Sequence, residues 1–130
     1  MNAKNYSLIS LILRIAIGSL FLGTGLIKIS GGIDGTIAYY MSMFEKTIFP
    51  IFLIKLHASI IIFVELFLAV WLLSGIQLRK AWIFSILTLI SLAFGMIFTY
   101  KFNVVSDNYI YVVISCLGLL LEPYDTYRKQ

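Results

Sequence analysis

Cysteine is almost missing from this chain. Its 130 residues include one, Cys116, and a single histidine, His57. An internal disulfide and a self-contained C-x-x-C redox centre are therefore excluded. One His with one Cys argues against a dedicated zinc site, so no metal is expected. Charge is scarce too: 12% of residues are charged, where a soluble domain carries about 25%. A chain that is 61% hydrophobic cannot cover a water-facing surface, so a soluble globular protein is excluded and lipid is the expected solvent. The net charge of +4 is spread between apolar runs rather than gathered in a patch. That pattern suits anchoring at anionic lipid and speaks against a nucleic-acid partner. No haem, flavin or iron–sulfur motif is present, so no covalently bound cofactor is expected and any electrons must come from a partner.

What the chain has in abundance is apolar length. The expected fold is all-α: one domain over residues 1–130, a four-helix transmembrane bundle with spans near 7–29, 54–74, 81–100 and 105–121. The first run, Ser7 to Ile29, is too long for a signal-peptide core, contains Arg14 and lacks an A-x-A site, so it reads as a span. Between the first two spans, SGGIDG reads as a Gly-rich turn. After it, Ile37, Tyr40, Met41 and Phe44 recur at helical spacing opposite Glu45 and Lys46. This predicts an amphipathic interfacial helix that stops near Pro50. GIQLRK, carrying Arg79, reads as a tight basic loop that makes the second and third spans antiparallel neighbours. Ser85, Thr88 and Ser91 are available for interhelical hydrogen bonds, and Gly95 for close packing. The fourth span has only 13 apolar residues after Asn108 and must recruit polar residues before it or end shallowly. The tail, EPYDTYRKQ, is expected to leave the membrane, and Cys116 to pack as a small apolar residue.

The chemistry must come from the few intramembrane charges. Glu65 lies mid-span, where a charged group costs about 2.5 kcal/mol or more unless it is paired, protonated or facing water. On the first span, Arg14, Gly18, Phe21, Gly25 and Lys28 fall in a stripe about 80° wide. Its glycines let a neighbouring backbone approach. Counted along the helices, Arg14 lies about 10 Å and Glu65 about 15 Å from one membrane face, within reach of a long side chain. The expectation is an Arg14–Glu65 pair beside Gly18 and Gly25. It serves either as a structural ion pair or as the border of a ligand pocket. A separate outer polar cluster gathers Lys28, His57 and Asn108, although Lys28 also fits a headgroup-seeking role. Lys4, Arg79, Lys80, Arg128 and Lys129 would share one side, against Lys28, Lys46, Lys55 and Lys101 spread over longer segments on the other. The positive-inside rule then favours both termini in the cytoplasm.

Several of these features together resemble a known family. R-x3-G-x2-F-x3-G-x2-K (Arg14, Gly18, Phe21, Gly25, Lys28), the Gly-rich connection, the intramembrane Glu65 and the L-x-SG-x3-R exit with Gly75 and Arg79 are similar to DoxX-like small four-helix membrane proteins. The C-terminal end departs from the glycine-rich finish common among them. The resemblance implies an inner-membrane protein akin to the small subunit of a thiosulfate:quinone oxidoreductase, with a quinone as its associated cofactor. It equally implies an assembly factor, the role of eukaryotic cousins. Three readings follow: a subunit of a quinone-linked redox complex, a non-catalytic scaffold, and a small proton-coupled transporter titrating Glu65. The expected partners are the lipid bilayer and either a redox subunit or further copies of the chain.

Overall fold

Twenty-eight residues, Ala3–Ser30, wind into α1. At 1.5 Å per residue this is about 42 Å, longer than the roughly 30 Å hydrocarbon core, so its ends reach headgroup level. The computed structural model describes residues 3–44, 47, 50–98 and 102–127.

The chain reverses after α1 at Gly31 and Gly32, the latter at φ 81°, where an L side chain would be strained. Helix α2, Gly32–Phe44, begins at once, so most of the expected Gly-rich turn is already helical. Asp34 in its first turn complements the helix dipole. The Thr36 hydroxyl donates at 3.3 Å to the Lys28 and Gly32 carbonyls, tying α2 to the end of α1. Thr36, Tyr40 and Phe44, spaced four apart, are buried, and the two aromatic rings share a core cluster with Ile54, Ala58, Ile61 and Ile62. Ile37 and Met41 pack on the same cluster, while Glu45 and Lys46 lie outside the described residues.

Pro50, extended and lacking a donor, precedes α3 (Ile51–Ser74), which therefore starts earlier than the apolar pattern suggests. Gly75, at φ 80°, ends it in the left-handed conformation and donates to the Trp71 carbonyl. Only residues 75–77 separate α3 from α4 (Leu78–Ile97), so Arg79 sits in the first turn of α4, exposed, and not in a loop. Helix α5, Phe102–Leu121, reaches spanning length by recruiting Asn103, Ser106, Asp107 and Asn108. Four of the five helices are long and apolar enough to cross a membrane, and no strand occurs among the described residues.

Packing follows small residues. Helix α1 lies along α3, α4 along α5, and α1 also touches α5, while α2 covers the first half of α3. A Cβ on Gly25 would sit 2.7 Å from the Leu66 side chain, and one on Gly118 would collide with the Trp82 indole. Trp82, Phe21, Leu68, Leu72 and Leu89 form the central core between them. Despite their short turn, α3 and α4 touch only sparingly and leave a seam. Ser85, Thr88 and Ser91 do not bridge helices. Each donates to a carbonyl of its own helix, because a hydroxyl one turn along always finds one.

After a 3-10 turn at Glu122–Tyr124 the tail folds back onto the first turns of α1, the Tyr124 ring tilted against Tyr6 at 4.9 Å and the Thr126 N–H donating to the Ser7 hydroxyl at 3.0 Å. Replacing Gly118 by Leu should lower the thermal midpoint in detergent by the equivalent of about 1–3 kcal/mol through overpacking on Trp82. Gly23→Ala, on an open face of α1, should be neutral or stabilising by up to about 1 kcal/mol. Equal effects from the two changes would refute this packing.

Candidate functional site

Two ion pairs organise the interior, and neither is the expected one. Arg14 Nη1 donates to Asp125 Oδ2 at 3.1 Å, and Lys28 Nζ to Glu65 Oε1 at 2.8 Å. Helix register explains the difference. Gly18 faces Ala69 and Leu73, and Gly25 faces Leu66, so Glu65 is level with Gly25 and Arg14 with Gly75. About eleven residues, or roughly 16 Å of helix axis, separate the two levels. Side chains also lean towards the N-terminus of their own helix. In antiparallel helices that tilt carries Arg14 towards the tail and Glu65 towards Lys28. The expected Arg14–Glu65 pair is therefore not formed.

At the tail end, α1 overhangs the close of α3, and Ser7, Ser10 and Arg14 face the returning chain. Asp125, 2% exposed, accepts from the Ser10 hydroxyl at 2.9 Å, from Arg14, and from the Tyr127 N–H at 2.8 Å. A Cβ on Gly75 would lie 3.1 Å from Arg14 Nη1 and 3.2 Å from the Tyr127 carbonyl, so the turn needs glycine for room as well as for φ. Both Asp125 oxygens accept hydrogen bonds, which makes this a contact that closes the tail onto α1, while Arg14 Nε beside it has no partner among the described residues.

The other end is different. Glu65 is 2% exposed, and its second oxygen, Oε2, has no hydrogen-bond partner. Tyr40 from α2 lies near enough for the carboxylate to act on it. Burial first, and then the Glu65 charge, push the Tyr40 phenol well above its usual pKa, so it stays a protonated donor. Its ring stacks on His57 with centroids 5.9 Å apart and planes at 23°. Tyr40 and His57 together line a cavity of about 460 Å³ between α2, α3 and α4, walled by Phe44, Ile61, Leu92 and Gly95 among others. An apolar chamber with a phenol and an imidazole on its wall can hold an aromatic or carbonyl-bearing lipophile and fix its orientation.

The remaining expected residues distribute as follows. Gly18 and Gly25 pack against α3 and line no cavity described here. Asn108 is half-buried on α5, which packs on α4 and α1, and no hydrogen bond joins it to Lys28 or His57 among the described residues. Cys116 is exposed on α5 instead of packed within it. Lys101, Arg128 and Lys129 lie outside the described residues. No group of three or more metal-ligating side chains occurs among the described residues. Asp125 and Tyr40 were not singled out as site residues in the sequence. The signal for Asp125 was a polar Ser7–Ser10–Arg14 stripe on an otherwise apolar helix, with no acid assigned to meet it.

The sequence profile of the DoxX family matches residues 9–100, which include Arg14, Lys28, Tyr40, His57 and Glu65. Comparison with curated proteins and with solved structures gives no match.

Double-mutant cycles separate the pairs. Arg14→Met and Asp125→Leu should each cost about 3–5 kcal/mol, and together recover much of the loss. Lys28→Met and Glu65→Leu should couple in the same way by about 0.5–3 kcal/mol. Arg14→Met with Glu65→Leu should be additive within about 0.5 kcal/mol in thermal melts. Coupling across that last combination would contradict the register of α1 on α3.

Proposed function

The chain belongs to the DoxX family and is a multi-pass integral membrane protein, and from that footing we propose that it is a small subunit or accessory factor of a quinone-linked redox complex of the inner membrane. The observation that carries the reading is the 460 Å³ apolar chamber with Tyr40 and His57 on its wall. Ligand cavities commonly measure roughly 300–1,000 Å³ and combine apolar walls with a few placed polar groups.

The chamber's own groups suit a quinone ring. The Tyr40 phenol, held protonated, would donate a hydrogen bond to a ring carbonyl, and the His57 imidazole would donate or accept. Lys28 neutralises Glu65, so this end carries a paired charge rather than a bare one. Phe44, Leu92 and Met96 keep water from the ring. The quinone supplies two-electron chemistry when bound, and a partner subunit exchanges the electrons. The second reading, a scaffold without redox chemistry, is favoured by the Arg14–Asp125 contact, which ties the tail to α1 and engages both carboxylate oxygens.

The orientation belongs to the same proposal. Residues 75–77 and the tail lie at one end of the bundle, with Arg79 and Lys80 exposed there, whereas Lys28 at the other end is consumed by Glu65. That sharpens the charge asymmetry in favour of cytoplasmic termini. Reporter fusions at residue 77 and at the C-terminus should read cytoplasmic, and one near residue 46 external. A cytoplasmic signal at 46 would invert the assignment.

Protein purified in mild detergent should release a quinone on organic extraction. His57→Leu and Leu92→Trp should cut the recovered quinone about tenfold, the loss of a hydrogen bond or of the room for a ring. Cys116→Ala should leave recovery unchanged. Release of no quinone, with a redox or assembly partner still co-purifying, would replace this reading by the scaffold.

A further inference from the structure

The chamber is not a closed box. A second hollow of about 340 Å³ lies along the same pair of helices, and Val64 and Thr88 line both. Its walls are Phe63, Phe67, Leu68, Trp71 and Phe84. Thr88 spends its hydroxyl on the Phe84 carbonyl at 2.8 Å, so no unsatisfied polar group marks the junction. The far end is fixed. The Trp71 indole donates to the Ile76 carbonyl at 2.7 Å, and its ring packs on Phe67 at 5.3 Å and Phe84 at 5.7 Å.

Resting on the quinone reading above, we infer that the α3–α4 seam is a track for the ligand's polyprenyl tail. The ring sits at Tyr40 and His57, the tail passes Val64 and Thr88, and Trp71 is its end wall. The site therefore selects a quinone with a tail of several isoprene units over a bare ring. From His57 to Trp71 is 14 residues of helix, about 21 Å, a length that suits such a tail and exceeds any ring. A phospholipid is disfavoured at the head end, since no charged residue lines the chamber to take a phosphate. The polar end lies near the start of α3, and the tail runs through the membrane interior to Trp71, beside the 75–77 turn at the opposite end of the helix.

The test compares quinones of one ring type and increasing tail length on the purified protein in nanodiscs, with a photoreactive group at the tail end. Affinity should rise with each isoprene unit and level off once the tail spans the seam, and the label should fall on peptides containing Phe67, Trp71 or Phe84. Phe84→Trp and Phe63→Trp fill the second hollow without touching the chamber. Each should keep bare-ring affinity within about twofold and lose about tenfold for the long-tailed ligand. If one variant fails to fold, the other reads the same hollow. A long-tail advantage that survives in both variants, or a tail label on α1 or α5, overturns the track while the ring site stands. Displacement of the label by added phospholipid but not by long-tailed quinone assigns the seam to bilayer lipid and also overturns it. Failure of every quinone, bare or tailed, to bind removes the ring reading together with the track.

Discussion

An unpaired charge in hydrocarbon is the constraint from which this architecture follows. Arg14 and Glu65 stand inside long apolar helices, and neither can remain there ionised without a counter-charge. Each finds one at its own end of the bundle. Asp125 is drawn in from the tail to meet Arg14, and Lys28 turns inward from the end of α1 to meet Glu65. The Lys28–Glu65 contact sets the register of α1 on α3 together with the glycines, and Arg14–Asp125 fixes the tail on α1. That pairing also explains why one residue of a largely exposed polar tail, Asp125, is buried.

The two ends are chemically unequal. At the tail end both Asp125 oxygens accept hydrogen bonds, and the atom left without a partner is a donor, Arg14 Nε. At the other end Glu65 keeps one oxygen unsatisfied, Tyr40 is held protonated beside it, and an apolar chamber opens alongside. Buried polar groups without partners are rare, and of the four among the described residues, with Arg14 Nε, Trp82 Nε1 and Ser115 Oγ, only Glu65 Oε2 has a protonated phenol and an apolar chamber close by. Helix α2 creates this inequality. Folded back by two glycines, it brings a phenol to the α3 face that the four spans alone would leave to lipid.

Much of the fold was legible from apolar run length and a few punctuating residues. Four spans, the intervening helix and the Gly75 turn all follow from patterns that survive in any context. Start points were less legible. Helix α3 begins at Ile51, directly after Pro50, and α5 at Phe102, where polar residues such as Asn103 and Ser106 take helical form that apolar patterning does not mark. The charge partners were not legible at all from depth. Counting residues places Cα atoms, but the direction of Cα–Cβ bonds in antiparallel helices decides which side chains meet, and Arg14 and Glu65 point apart. Asp125 was hidden for another reason: a tail rich in polar residues gives no hint that one of them is needed inside. Tyr40 and His57 sit on different helices at ordinary core spacing, so only the fold shows that their rings stack.

The Arg14–Asp125 contact joins residues 111 apart in sequence. A ribosome adding about 5–20 residues per second needs on the order of ten seconds to deliver Asp125 after Arg14 has been made. For that interval the first span holds a guanidinium with no native counter-charge, and the insertion machinery, lipid phosphates or a shallow position must shelter it. The segment around Asp125 therefore releases the first helix into its final depth. Biogenesis acquires a checkpoint: a chain halted before its tail retains a span that the bilayer tolerates poorly, and quality control can recognise it by that defect.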